Sequence, residues 1–198
     1  MNVLSEIRAE VKRKLIHMIP GFLAIPVVVW IGNPIATLIA AFFLAIYSIH
    51  EAKLRLGLKF DVPIASQTFK VMARREELEK GYFTGAVYFW ACTLAIVAIM
   101  EPVRAAAAVM VSSFGDAAAA IMGKAIPLVK LPYNPSKSLG GFLGMLVMSA
   151  LSCLVAGIPI TVSLVVAAVS ALVESLTRVS VLDELTVPVV AALLLQLY

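Results

Sequence analysis

Six apolar runs, Leu15–Ile31, Pro34–His50, Phe83–Met100, Val103–Met122, Leu139–Ala156 and Ile160–Leu176, leave few folds open to this chain. Each is close to the ~20 residues that cross the hydrocarbon core of a bilayer. A seventh run, Leu185–Tyr198, is shorter and is interrupted by Pro188. Lipid cannot satisfy open backbone groups, so such runs must close their own hydrogen bonds as helices. The chain is 62% hydrophobic and 14% charged, against about 45–50% apolar and roughly 25% charged in soluble domains. It has too little polar surface to cover itself in water. The expected fold is all-α: a polytopic integral membrane protein with about seven transmembrane helices, an amphipathic N-terminal segment and one domain over residues 1–198.

Basic residues set the expected orientation. With the N-terminus in the cytoplasm and the spans alternating, Arg8, Lys12, Arg13 and Lys14 lie inside. So do Lys53, Arg55, Lys59, Lys70, Arg74, Arg75 and Lys80 in the second connection, Lys124, Lys130 and Lys137 in the fourth, and Arg178. Arg104 falls on the far side. This asymmetry follows the positive-inside rule and places the C-terminus opposite the N-terminus. The first run follows a charged segment and lacks a cleavage-site pattern, so no secretory leader is expected. The net charge of +4 calls for no nucleic acid, because anionic headgroups already favour basic loops. Cys92 and Cys153 sit in apolar runs and are expected as free thiols. In the second connection, "IASQTFKVMARREELEKGY" reads as one amphipathic helix on the cytoplasmic surface.

Charges inside apolar runs are costly and mark candidate sites. Asp116 interrupts the fourth run, and at about 100° per residue Ser112, Ser113, Ala120 and Gly123 share its face. A small-residue helix-packing face is the plain alternative. In the first span, Glu10, Arg13, Lys14, His17 and Gly21 fall on one side, a mixture suited to phosphate. There the alternative is a basic cluster that only sets topology. In the sixth, Glu174 shares a face with Ser163, Ser170 and Arg178, and a Glu174–Arg178 pair at i,i+4 would account for both. Asp183 and Glu184 follow, either at the site or in a solvated turn.

The fourth connection carries Pro127, Pro132 and Pro135, which keep it extended, and then "SKSLGG" enters the fifth span. Ser136, Lys137 and Ser138 at a helix N-terminus supply the parts of an anion site. Gly140 and Gly144 could equally be a packing pair. All these groups converge on the cytoplasmic membrane boundary. Mg²⁺ takes one or two carboxylates plus phosphate oxygens, and phosphoryl chemistry needs that mixture of charges. The residues thus read as a membrane enzyme that uses a soluble phosphate compound on a lipid.

Four stretches, in order, resemble the polyprenol kinase family, which includes dolichol kinase, phytol kinase and the CTP-dependent diacylglycerol kinase. They are "E..RK..H...G" from Glu10 to Gly21, "GYFTGAVYF" from Gly81 to Phe89, "GDAAAAIMGK" followed by "SKSLGG", and "ALVESLTRVSVLDELTVPVV". Glu184 stands where the family usually has Asn. The resemblance implies a CTP-dependent kinase that phosphorylates a lipid alcohol, with Mg²⁺ as cofactor and CTP as donor. It implies Asp116 as metal ligand, with Glu174 and Asp183 as further carboxylate candidates. It implies catalytic roles for Asp116, Lys124, Lys137 and His17, and phosphate contacts from Arg13, Lys14, Ser136 and Ser138. Gly115, Gly123 and Gly140 would give backbone access.

The partners implied are a lipid alcohol, a nucleotide and the bilayer, with a homodimer allowed and no nucleic acid. A CTP:phosphatidate cytidylyltransferase resembles the chain in its Gly-Asp-small segment near a lysine. Its Gly-His-Gly-Gly-rich stretch is replaced here by "SKSLGG". A small ion-coupled transporter would hold an ion at mid-membrane on Asp116 and Glu174, and such carriers commonly show repeated halves. No repeat is present.

Overall fold

The computed structural model describes residues 3–179 and 181–198. It is almost entirely helical. The first span is built from α1 (Val3–His17), α2 (Ile19–Leu23) and a π-helical stretch, Ala24–Ile31. Pro26 lies in that wide turn, where it lacks the N–H of a regular helix and crowds the preceding carbonyls. Next come α3 (Asn33–Leu56), α4 (Pro63–Met72), α5 (Arg75–Lys80) and α6 (Thr84–Ile99). The central span is α7 (Pro102–Met110), a π turn at Val111–Gly115, and α8 (Asp116–Ala125). A hairpin of β1 (Lys130–Leu131) and β2 (Asn134–Ser138) leads into α9 (Leu139–Val155), α10 (Ile160–Leu176) and α11 (Asp183–Leu197).

Among the described residues, three helices are long and apolar enough to cross a membrane: Ile7–Ile31, Asn33–Leu56 and Pro102–Ala125. They run for 25, 24 and 24 residues. The remaining apolar helices, α6, α9, α10 and α11, have 16, 17, 17 and 15 residues. Apolar helices of this kind point to insertion in a membrane. The central span is the hub, 72% buried against 28% and 22% for the two N-terminal ones. Its run Ala105–Ala108 is closed from solvent, as are Met145, Val166, Ala171, Val187 and Ala191 from the helices around it. The first two spans turn Phe22, Trp30, Leu38 and Phe42 outward, where they suit lipid.

Helices α8 and α9 pack at backbone distance. A Cβ on Gly140 would stand 1.8 Å from the Ile126 carbonyl oxygen, and one on Gly144 would stand 2.9 Å from that of Ala118. Gly140 and Gly144 are thus the packing pair that their spacing allowed.

Several expectations change. The surface segment is two helices, because Ala73 is extended and the Arg74 N–H donates to the Glu77 carboxylate at 2.6 Å, starting α5 afresh. The connection expected as extended forms an antiparallel hairpin, in which Lys130 faces Ser138 and Leu131 faces Asn134. Helix α10 ends at Leu176, and Glu174 is held by Lys137 rather than by Arg178. Pro188 lies buried inside α11 without ending it. Cys92 and Cys153 are free and buried, as expected.

Candidate functional site

Helix α1 packs on α8, and this contact joins two stretches far apart in sequence. Glu10, Lys14 and His17 lie three or four residues apart, so one face of α1 carries all three, and all are buried. Lys14 forms an ion pair with Asp116, the first residue of α8, and the Lys14 side chain is 3% exposed. Glu10 binds Arg13 on its own helix and Lys124 at the far end of α8. The π turn at Val111–Gly115 immediately precedes Asp116, and such widened turns frequently occur at functional sites.

His17 is the meeting point. Its Nε2 lies 3.3 Å from Asp116 Oδ2 and 3.6 Å from Glu184 Oε2. Yet that nitrogen is buried and makes no hydrogen bond of good geometry. The ring packs on Phe89 at 4.9 Å between centroids. His17, Asp116 and Glu184 each offer a ligand atom, and these atoms lie within 4.8 Å of one another. Glu174 and Asp183 converge on the Lys137 ammonium, whereas the trio around His17 brings two carboxylates to an imidazole nitrogen, with the Lys14 ammonium also on Asp116.

Lys137 reaches from β2 to Glu174 on α10 and to Asp183 of α11, the latter at 2.8 Å. Burial works to lower the Lys137 pKa, but the two carboxylates outweigh it and hold it above the ordinary lysine value. Four cations, Arg13, Lys14, Lys124 and Lys137, here meet four carboxylates, Glu10, Asp116, Glu174 and Asp183, with Glu184 beside His17. Groups paired in this way can repartition, cations to phosphate oxygens and carboxylates to a metal.

The other sequence-predicted residues have partners within the chain. Ser138 caps α9 by accepting the Gly141 N–H at 3.3 Å. Ser136 donates its hydroxyl to Asn134 Oδ1 at 2.6 Å. A Cβ on Gly115 would meet Ser149 Oγ at 2.6 Å, and one on Gly123 would meet Ser138 Oγ at 3.4 Å. These glycines, like Gly140, face neighbouring chain.

One contributor was not read from the sequence. Asn134 latches the hairpin to the end of α10 by donating to the Ser175 and Thr177 carbonyls at 2.9 and 3.1 Å. The Asn-Pro-Ser sequence was its only signal. Of the two readings of Glu184, at the site or in a solvated turn, the structure has the first: its side chain is only 13% exposed beside His17.

An apolar cavity of about 310 Å³ starts at this cluster. Lys14, His17 and Glu184 line its polar end, with Arg13, Arg74 and Glu77 beside them. From there it runs between the first two spans and α6, lined by Val27, Ala36, Ala40, Phe43, Trp90 and Val97. An apolar trough that ends on a few convergent polar groups suits an amphiphile.

No protein-family model, no curated protein and no solved structure matches the chain.

Proposed function

We propose that this chain is an integral membrane kinase of the polyprenol kinase type, which transfers the γ-phosphoryl group of CTP to the hydroxyl of a lipid alcohol. The observation that carries the reading is the apolar cavity ending on Lys14, His17 and Glu184 beside the Asp116–Lys14 pair. A lipid chain lies along the apolar wall, and its hydroxyl reaches the polar end. The resemblance of "GDAAAAIMGK" and "SKSLGG" to the family supplies CTP as donor.

In this reading seven helices span the membrane, the first, third, fifth and seventh rising from the cytoplasm. The short helices α6, α9, α10 and α11 suit a locally thinned bilayer. The N-terminus and the ion clusters face the cytoplasm, and the C-terminus lies opposite.

Phosphoryl transfer is largely a matter of positioning and charge neutralisation. Lys137, Lys124 and Arg13 turn from their carboxylates to the phosphate oxygens. The alcohol oxygen forms a bond to the γ-phosphorus, the bond to the β-bridging oxygen breaks, and the hydroxyl proton passes to the carboxylate cluster. The products are a lipid phosphate and CDP. A divalent cation, held by Asp116 with its neighbours, would neutralise phosphate charge.

The test compares wild type with Asp116→Asn, both purified in detergent with Mg²⁺, CTP and a lipid alcohol. Wild type is expected to make lipid phosphate and the variant to make none while keeping its helical circular dichroism. Substantial turnover by a folded Asp116→Asn protein would overturn the site.

A further inference from the structure

We propose that His17, Asp116 and Glu184 together form a divalent-metal site whose imidazole nitrogen makes it favour Mn²⁺ over Mg²⁺. The proposal goes beyond the kinase reading and rests on it only for the reaction that the metal would serve.

Three features carry it. The first is convergence. One atom each from α1, α8 and α11 lies within a 4.8 Å group, so three separate helices present their ligands to one point.

The second is the state of the nitrogen. His17 Nε2 is buried, stands 3.3 and 3.6 Å from two carboxylate oxygens, and donates to neither. A buried polar atom without a partner is costly, and few native groups are left so. A buried nitrogen this near to two carboxylates that hydrogen-bonds neither keeps its lone pair available for a cation held among them.

The third is access and charge. His17 and Glu184 border the cavity, as does Lys14. A three-ligand site on a cavity wall leaves coordination positions open for an incoming oxygen. Two carboxylates offset the ion, and the Lys14 ammonium beside Asp116 leaves the occupied site net positive, which suits phosphate.

The ligand chemistry sets the metal preference. Mg²⁺ is a hard ion that takes oxygen and gives up water reluctantly. An imidazole ligand raises the affinity for first-row transition ions, among which Mn²⁺ also accepts carboxylate and phosphate oxygen.

The chain contains two histidines, His17 and His50, so a nitrogen signal can be assigned. The experiment titrates the full-length protein in detergent with Mn²⁺ and follows it by electron paramagnetic resonance. It then measures ¹⁴N coupling by electron spin echo modulation. Wild type and His50→Gln are expected to bind one Mn²⁺ with ¹⁴N coupling. His17→Gln is expected to lose the coupling, and Glu184→Gln to keep it while binding weakens about tenfold or more. Glu76→Gln, at an exposed carboxylate paired with Lys80, is expected to leave binding unchanged. Mg²⁺ is expected to displace Mn²⁺ only in large excess.

Mn²⁺ binding without ¹⁴N coupling, coupling lost in His50→Gln, or the absence of Mn²⁺ binding would each overturn the proposal. If His17→Gln does not fold, coupling that persists in His50→Gln still assigns the ligand. The two readings fail separately. Phosphotransfer with Mg²⁺ but no nitrogen-coupled Mn²⁺ sinks the metal preference alone, and nitrogen-coupled Mn²⁺ without phosphotransfer sinks the kinase alone.

Discussion

Lys14 and Asp116, 102 positions apart in the chain, form a buried ion pair that ties the first span to the start of α8. Removing one partner of such a pair strands the other charge in a low-dielectric site, which costs about 3–5 kcal/mol in soluble proteins. Lys14→Met and Asp116→Asn should therefore each lower the thermal midpoint, and the double variant should recover part of the loss. Thermal unfolding in detergent over this double-mutant cycle checks the point. Additive losses would mean that the pair is not coupled.

Lys137 is shared by Glu174 and Asp183, so its loss leaves two buried carboxylates facing each other. We expect Lys137→Ala to raise KM for CTP more than KM for the lipid, and Lys137→Arg to retain part of the activity. Steady-state kinetics with each substrate varied in turn gives the answer. A larger effect on the lipid would move Lys137 to the acceptor side.

Gly140 meets the Ile126 carbonyl oxygen where a Cβ would stand, whereas Gly123 has room at ordinary contact distance from Ser138 Oγ. Gly140→Ala should abolish folding or cost about 2 kcal/mol or more, since the obstacle is backbone. Gly123→Ala should stay within about 1 kcal/mol of wild type. Yield and unfolding temperature in detergent compare the two.

Ala40 is closed from solvent and lines the apolar part of the cavity. A phenyl ring there fills the trough. Ala40→Phe is expected to raise KM for the lipid alcohol at least severalfold and to leave nucleotide affinity unchanged. Equal loss of both would show that the cavity does not hold the lipid.

Glu77, on α5, has its pKa raised by burial, against the opposing pull of the Arg74 N–H. A carboxyl whose pKa is higher folded than unfolded favours the folded state most below the unfolded pKa. That contribution is lost as pH rises through the folded pKa. Glu77→Gln should therefore flatten the fall in stability from acid toward neutral pH. Midpoints measured across that range test this, and an unchanged pH profile would contradict it.

The helices were legible because an apolar run of such length has one stable form in lipid. The α1 face was legible too, since Glu10, Lys14 and His17 recur at helical spacing. What could not be read depends on packing between distant segments. Glu184 reaches His17 only because α11 lies against α6 and the central span. Lys137 reaches Glu174 because Asn134 latches the hairpin to α10. The π turn before Asp116 changes the helical step there, so a fixed 100° advance cannot place Ser112 and Ser113 relative to it. Ser113 instead lies against Gly21.

The central claim is transfer of the γ-phosphoryl group of CTP to a lipid alcohol, and positional labelling tests it most directly. Purified protein with a divalent cation would receive γ-³²P-CTP or α-³²P-CTP in separate reactions, each with polyprenols, diacylglycerol and phosphatidic acid. Label in the lipid from the γ position alone is the predicted result. Label from the α position would make the chain a cytidylyltransferase, and no transfer by folded protein would favour a carrier; either result contradicts the kinase.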